Sequence, residues 1–235
     1  MARRKLGDVN VDAVVVAAGR GERFGSSDKL LADVGGRPVL AWSLLALAAA
    51  PSVGRIVLVA RNDDVARVAA TAAGLAGDAR LRVVRGGPRR RDSVAAGLAA
   101  CTTEYVLIHD GARPFVTVEL IEACIAAAAG RPGAIAAVPV TDTIKVVGED
   151  GTIAEHPDRR HLWAAQTPQV VRRELWLAAA MADDADATDD AAMLARLGHR
   201  CRVVEGDRAN IKVTYPIDVA IARAIAAWRR EAATP

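Results

Sequence analysis

Val14-Val-Val-Ala-Ala-Gly19-Arg-Gly21-Glu-Arg23-Phe-Gly25-Ser-Ser-Asp-Lys29 is an apolar, β-branched run that passes without a break into a loop rich in glycine and cations. Gly19, Gly21 and Gly25 permit positive φ and let backbone N–H groups turn toward an anion, while Arg20, Arg23 and Lys29 add full positive charges. The combination predicts a buried strand that delivers a phosphate-holding loop. An ordinary βα loop with solvated charges has the same composition, so the choice rests on what surrounds it.

Working outward, short β-branched runs alternate with alanine-rich stretches, the pattern of a parallel sheet covered by helices on both faces. Strands are expected at Val11–Ala17, Arg55–Ala60, Leu81–Val84, Tyr105–His109, Ala134–Val140 and Cys201–Val204. Helices are expected at about Pro38–Ala49, Asp63–Ala73, Asp92–Ala100, Val118–Ala129, Arg172–Ala180, Asp189–Leu197 and Pro216–Arg230, with Pro38 suited to a first helical turn. The fold class is α/β: a Rossmann-like three-layer sandwich with a mostly parallel sheet. The alternation breaks at 141–162, where a polar, turn-rich segment containing Gly148-Glu-Asp-Gly151 predicts a hairpin projecting from the sheet, either a lid or an oligomerisation arm. The last residues, 231–235, read as frayed.

A chain of 235 residues that is 52% hydrophobic can bury one sizeable core, so a single domain is expected, with its core at about 11–228. The net charge of +3 comes from scattered arginines balanced by acids, which favours an anionic small-molecule site over a nucleic-acid surface. Cys101, Cys124 and Cys201 stand apart inside apolar segments with no zinc or redox spacing, as reduced thiols of a cytoplasmic protein would. No run approaches the length of a membrane span, and no apolar leader follows the first residues.

The first loop fails both familiar phosphate-binding patterns. A dinucleotide fingerprint needs glycine where Phe24 stands, and a P-loop needs Gly-Lys-Ser/Thr where Asp28-Lys29-Leu30 stands. What remains is a longer loop whose Arg23 and Lys29 neutralise a polyphosphate from two sides, as a triphosphate demands. Gly86-Gly87-Pro88-Arg89-Arg90-Arg91-Asp92-Ser93 follows the third strand and opens a helix, so it shares the crevice at the carboxyl ends of the strands. Ser93 reads equally as a helix-start residue and the arginines as a solvated face. Tyr105-Val-Leu-Ile-His-Asp110-Gly-Ala-Arg113-Pro114 delivers a carboxylate at the end of an apolar strand. Asp110 is the natural Mg²⁺ ligand, because one carboxylate with phosphate oxygens and water suits that ion, and Arg113 is placed to hold a second phosphate. The alternative is an Asp that caps the next segment and pairs with Arg113. His109, His156, His161 and His199 form no spaced pair and read as structural or exposed.

Taken together, Ala17-Ala18-Gly19-x-Gly21-x-Arg23, Gly86-Gly87-x-x-Arg90-x-x-Ser93-Val94, His109-Asp110-x-Ala112-Arg113-Pro114, Asp142-Thr143-Ile144-Lys145, Thr167-Pro168-Gln169 and Asn210-Ile211-Lys212-Val213-Thr214 resemble the 2-C-methyl-D-erythritol 4-phosphate cytidylyltransferases of non-mevalonate isoprenoid synthesis. The match runs from about residue 11 to 225. The resemblance implies attack of the methylerythritol 4-phosphate on the α-phosphate of CTP, with Mg²⁺ as cofactor, in a cytoplasmic homodimer that engages no nucleic acid or membrane.

Carried across residue by residue, the resemblance makes Arg23 and Lys29 the pair acting on charge at the α-phosphate. Asp110 becomes the metal-associated residue, and Lys212 a lysine reaching the phosphates. It places Ala17, Ala18, Gly19, Gly21, Gly87, Arg90 and Ser93 around the nucleotide, and Arg113, Thr143, Arg159, Thr167 and Thr188 around the acceptor phosphate. The arm at 141–162 is implied to cross to a second subunit, so that Arg159 completes its partner's site. Thr143 also reads as a plain strand residue and Arg159 as a solvated turn charge, with Arg160 beside it as the other candidate. Thr188-Asp189 also reads as a helix cap. The Lys-Leu-Leu form of the first loop is similar to molybdenum-cofactor cytidylyltransferases as well, whereas Asp142-Thr143-Ile144-Lys145 and the Asn210–Thr214 motif favour the methylerythritol enzymes. Pro88 stands where an acidic residue of the family can contact the base.

Overall fold

The computed structural model describes residues 10–19, 21–25, 28–77, 80–182 and 187–232, so Arg20 of the first loop lies outside the described residues. In chain order the elements are β1 (Val11–Ala17), β2 (Asp33–Val34), β3 (Arg37–Pro38), α1 (Val39–Ala49), β4 (Val53–Ala60), α2 (Val65–Ala72), β5 (Leu81–Arg85), α3 (Arg90–Ala99), β6 (Tyr105–Asp110) and α4 (Val118–Ala128). They continue as β7 (Gly133–Pro139), β8 (Val146–Val147), β9 (Ile153–Glu155), β10 (Trp163–Arg172), α5 (Arg173–Ala182), α6 (Asp190–Ala195), β11 (Arg202–Glu205) and α7 (Pro216–Ala232). Seven strands form one sheet in the order β11-β7-β10-β6-β1-β4-β5. The pairs β1–β4, β1–β6, β4–β5 and β7–β11 are parallel, and β10 runs antiparallel to both neighbours.

The expected α/β class and mostly parallel sheet are what the structure has. Strand β10, which lies inside the sheet between β7 and β6, was not among the expected strands. Its buried residues include Gln166, Thr167 and Gln169, and Pro168 lies where the pairing with β7 shifts register, so it lacks the apolar signature of the other strands. Pro38 belongs to a two-residue ribbon and caps α1 with ψ 146°, so the helix begins one residue later than expected.

Alternation along β1 supplies two cores. Val11, Ala13, Val15 and Ala17 pack on one face against residues such as Leu40, Leu44, Val68 and Ile121, while Val14 packs on the other with Val94, Leu98, Trp176 and Met193. Each fully buried Leu or Ile contributes roughly 1.5–3 kcal/mol relative to leaving it exposed. A third cluster joins Phe24, Val39, Phe115, Val213, Ala222 and Ala226. Phe24, which stands where a dinucleotide fold needs glycine, is thus an anchor that fastens the first loop to α7. Because β1 feeds β4 on one side while β6 lies on the other, the sheet reverses direction at β1, and the crevice at its carboxyl edge is a topological switch point.

The hairpin expected at 141–162 forms as β8 and β9, closed through Gly148 N–H to Thr152 O and Gly151 N–H to Gly148 O. Both strands are exposed. Cys101 and Cys124 are buried and Cys201 half-buried, and all three are free thiols. Among the described residues, no helix is long and apolar enough to cross a membrane.

Candidate active site

At the switch point lies an open cavity of about 1080 Å³. Every residue expected at the nucleotide or the reacting phosphate lines it: Ala17, Ala18, Gly19, Gly21, Arg23 and Lys29 from the first loop, then Gly87, Arg90, Ser93, Asp110 and Lys212. The loop reaches this position because Gly21 sits at φ 66°, in the left-handed region open to glycine, and starts a short 3-10 turn ending in buried Phe24. Arg23 then lies 5.7 Å over the Tyr215 ring. The second glycine loop approaches so closely that a Cβ on Gly86 would stand 2.6 Å from Ala18 Cβ and 2.7 Å from Ser93 Oγ. Ser93 is not the helix cap. At the start of α3 the Asp92 carboxylate accepts from the Arg89 backbone N–H at 3.2 Å and from Arg89 Nε at 2.9 Å, and the Ser93 hydroxyl instead accepts from Gly87 N–H at 3.2 Å and donates to Gly87 O at 3.3 Å.

Asp110 collects the surrounding charge. Its Oδ2 lies 2.7 Å from Lys212 Nζ and 3.9 Å from Arg113 Nε, and its Oδ1 lies 3.7 Å from Arg90 Nη2. Burial alone would favour the neutral acid, but Lys212 and Arg90, with Arg113, hold the carboxyl well below the usual carboxylate range. Lys29 is pushed below the ordinary lysine value by burial and by the like charge of Lys212, with Arg23 acting in the same sense and Asp110 opposing. Three cations therefore converge on one carboxylate in a half-buried site, an arrangement that an incoming polyanion relieves.

His109, next to Asp110, is a structural strut. Burial lowers its pKa to about 4, and its ring spans Thr167 Oγ1 at 2.9 Å and the Arg113 carbonyl at 3.2 Å. Thr167 Oγ1 also accepts from the Asp110 N–H at 3.1 Å, so β10 fixes the backbone that carries the carboxylate. Arg113 donates through Nη1 to Asn210 O at 2.8 Å, while its Nε is buried without a hydrogen-bond partner beside Asp110.

Not every expected site residue is gathered here. Arg113 and Thr167 adjoin the pocket through Asp110, but Thr143, Arg159 and Thr188 are exposed and line no part of it. Arg159 Nη1 donates to Thr141 O at 3.0 Å within the arm, whereas Arg160 pairs with Asp158 at 2.6 Å, so the two neighbouring arginines are committed differently. Asp189 caps α6 by accepting from Ala192 N–H at 2.8 Å.

Several residues at the pocket escaped sequence reasoning. Arg61, Asn62 and Asp63 line it from the loop after β4. The polar break at the end of an apolar strand was the available signal. Asp28 accepts from Leu30 N–H at 2.9 Å and from Arg67 at 2.5 Å, and Arg67 also meets Asp64 at 2.5 Å, which ties the residue before Lys29 to α2. The arginine run is not one solvated face: Arg89 pairs with Asp92, Arg90 with Asp190, and Arg91, 9% exposed, donates to Ala180 O.

A divalent cation fits what is present. Among the described residues no group of three or more His, Cys, Asp or Glu side chains is gathered as a protein cage. Asp110 instead offers one hard oxygen site on the wall of a cation-lined cavity, which matches the one or two carboxylates plus substrate oxygens that Mg²⁺ takes.

A three-layer α/β fold with a glycine-lined, cationic pocket at its switch point defines the class of phosphate-handling α/β proteins whose site lies at the carboxyl ends of parallel strands. The sequence model of the 2-C-methyl-D-erythritol 4-phosphate cytidylyltransferase family matches residues 11–227, and the chain belongs to that family. Its relatives of that name include a Nostoc punctiforme protein, 43% identical over 222 residues that cover 92% of this chain and 98% of the relative. A second, from Thermosynechococcus vestitus, is 42% identical over 224 residues covering 93% and 96%. Among solved structures, the 4-diphosphocytidyl-2C-methyl-D-erythritol synthase of Anaerococcus prevotii superposes with TM-score 0.81 at 31% identity, covering 92% of this chain and 97% of that one. The 2-C-methyl-D-erythritol 4-phosphate cytidylyltransferase of Thermus thermophilus superposes with TM-score 0.75 at 29% identity, covering 93% and 100%.

Proposed function

We propose that this protein transfers CMP from CTP to 2-C-methyl-D-erythritol 4-phosphate. An acceptor phosphate oxygen forms a bond to the α-phosphorus as the bond to the β-phosphate oxygen breaks, giving 4-diphosphocytidyl-2-C-methyl-D-erythritol and pyrophosphate. Family membership supports the substrates, and the observation that carries the site assignment is the convergence of Arg23, Lys29 and Lys212 with Asp110. A phosphate monoester has its second pKa near ~6, so the nucleophile is already anionic and needs little general-base help. The obstacle is repulsion between two anions, and cations with alignment answer it.

In this reading Arg23 and Lys29 stabilise charge at the α-phosphate, and Lys212 leaves Asp110 for the phosphates when CTP enters. Ala17, Ala18, Gly19, Gly21, Gly87, Arg90 and Ser93 enclose the nucleotide. Asp110 would hold Mg²⁺, which when bound supplies charge neutralisation between the two reacting phosphates. Arg113, with its unpartnered Nε, and Thr167 support the acceptor side, to which Thr143, Arg159 and Thr188 are assigned. Since Thr143 and Arg159 sit on an exposed arm, the reading includes a homodimer whose arms reach across, with Arg159 preferred over the already paired Arg160. It also takes 11–228 as one nucleotidyltransferase domain with its arm at 141–162, in a cytoplasmic protein that keeps its three thiols free.

Incubation with CTP, Mg²⁺ and the acceptor should release pyrophosphate in step with loss of CTP. No release would sink the reading, while release with a different phosphorylated acceptor, including molybdenum cofactor, would reassign the substrate and leave the chemistry in place.

A further inference from the structure

Arg90 is the pocket cation whose geometry is most fully prescribed. Its Nη2 lies 2.7 Å from Asp190 Oδ2 and its Nη1 3.2 Å from Asp190 Oδ1, a two-point contact, while the same Nη2 stands 3.7 Å from Asp110, beyond hydrogen-bond reach. One guanidinium thus stands between two carboxylates, and the one behind the pocket wall takes both hydrogen bonds. That carboxylate is itself fixed. Asp190 is fully buried, its Oδ1 accepts from Trp176 Nε1 at 3.0 Å, and its backbone N–H donates to Gln169 Oε1 at 2.9 Å. Gln169 Oε1 also takes the Ala191 N–H at 3.2 Å, and Gln169 Nε2 reaches Asp189 Oδ2 at 3.3 Å. A side chain on the antiparallel strand β10 therefore pins the start of α6, and α6 presents the carboxylate that orients an arginine on α3.

A buried ion pair is weak evidence for stability, because desolvation of both charges offsets most of their attraction. Its geometric consequence here is specific. Without the two-point hold, the carboxylate of Asp110, 3.7 Å away, would draw the guanidinium across the pocket wall and cover the acidic group at the end of β6. We propose that Asp190 is a positioning residue of the nucleotide site: from behind the wall it holds Arg90 off Asp110 and presents the remaining guanidinium N–H groups to the nucleotide. This rests on the reading that the pocket takes CTP.

The test is a double-mutant cycle in CTP affinity, measured by calorimetry on the wild-type chain, Asp190→Asn, Arg90→Gln and the double variant, with thermal melting of each. Asp190→Asn keeps the size of the side chain and a hydrogen-bonding oxygen for Trp176. Each single variant is expected to weaken CTP binding by about tenfold, and the double variant to be no weaker than Arg90→Gln alone. Unchanged CTP affinity in Asp190→Asn, whatever its melting temperature, overturns the inference. So does a double variant in which the two losses multiply, because Asp190 then acts on something other than Arg90. Should Asp190→Asn not fold, Arg90→Lys serves instead: it keeps charge and carboxylate but lacks the planar fork, so a loss matching Arg90→Gln is expected and wild-type affinity overturns the proposal. A wild-type chain that binds no CTP overturns the functional reading itself.

Discussion

Three cations, Lys212, Arg90 and Arg113, stand within 3.9 Å of the Asp110 carboxylate on segments rooted in the core, whereas Thr143 and Arg159 ride on an arm whose residues from 146 to 155 are exposed apart from half-buried Gly148. The nucleotide half is held by strands β1 and β6, by the anchor Phe24 and by β10 behind it. The arm has no such support. Val147 is 57% and Ile153 54% exposed, and a lone two-stranded hairpin is marginal in water. Charged groups can be pre-aligned only where a core prevents them from relaxing, so the cation cluster is complete within the chain, whereas the contribution proposed for the arm would need a surface from outside it.

Removing divalent cations should test the nucleotide half most severely. If Asp110 and the phosphates share a metal ion, chelation with EDTA abolishes pyrophosphate release and excess Mg²⁺ restores it; activity that persists through chelation would strip Asp110 of that role. Lys29→Ala should lower kcat by about a hundred- to a thousandfold while CTP affinity changes far less, since its charge matters most as the α-phosphate reacts. Equal losses in kcat and binding would make Lys29 a binding residue only.

On the arm the expected effects are smaller and of another kind. Arg159→Ala should raise the acceptor KM by roughly tenfold with the CTP KM unchanged. Mixed with Lys29→Ala protein it should recover part of the lost activity, because one of the two shared sites in the hybrid is intact; absence of any recovery would confine each site to one chain. The smallest effect on the fold is expected from Val147→Asp. It should weaken self-association in sedimentation experiments while shifting stability by less than about 0.5 kcal/mol, as an exposed substitution does. A dimer that survives it would remove the hairpin from the interface.

The sheet was legible wherever a strand is buried on both faces by apolar residues, as in β1, β4 and β6, where β-branched runs stand out against alanine-rich helices. The hairpin was legible from Gly148 and Gly151. Strand β10 was not, although it lies inside the sheet between β7 and β6, because Gln166, Thr167 and Gln169 are buried by virtue of partners on other segments: Asp207, His109 and Asp190. Asp190 itself escaped notice for the same reason. In the sequence it is the second of two acids at a helix start, and nothing local distinguishes the one that caps the helix from the one that crosses to Arg90.

By itself the sequence determined the class of fold, the first loop with its Arg23 and Lys29, and the carboxylate at the end of β6. These depend on periodicity and on residue types at adjacent positions, which act locally. The tertiary structure alone settled that Arg91 turns from the pocket that Arg89 and Arg90 line, that Ser93 braces a glycine loop instead of capping a helix, and that Arg90 is held from behind by Asp190. Those outcomes depend on contacts between residues up to 100 positions apart, and a side chain buried at such a contact takes its role from its partner.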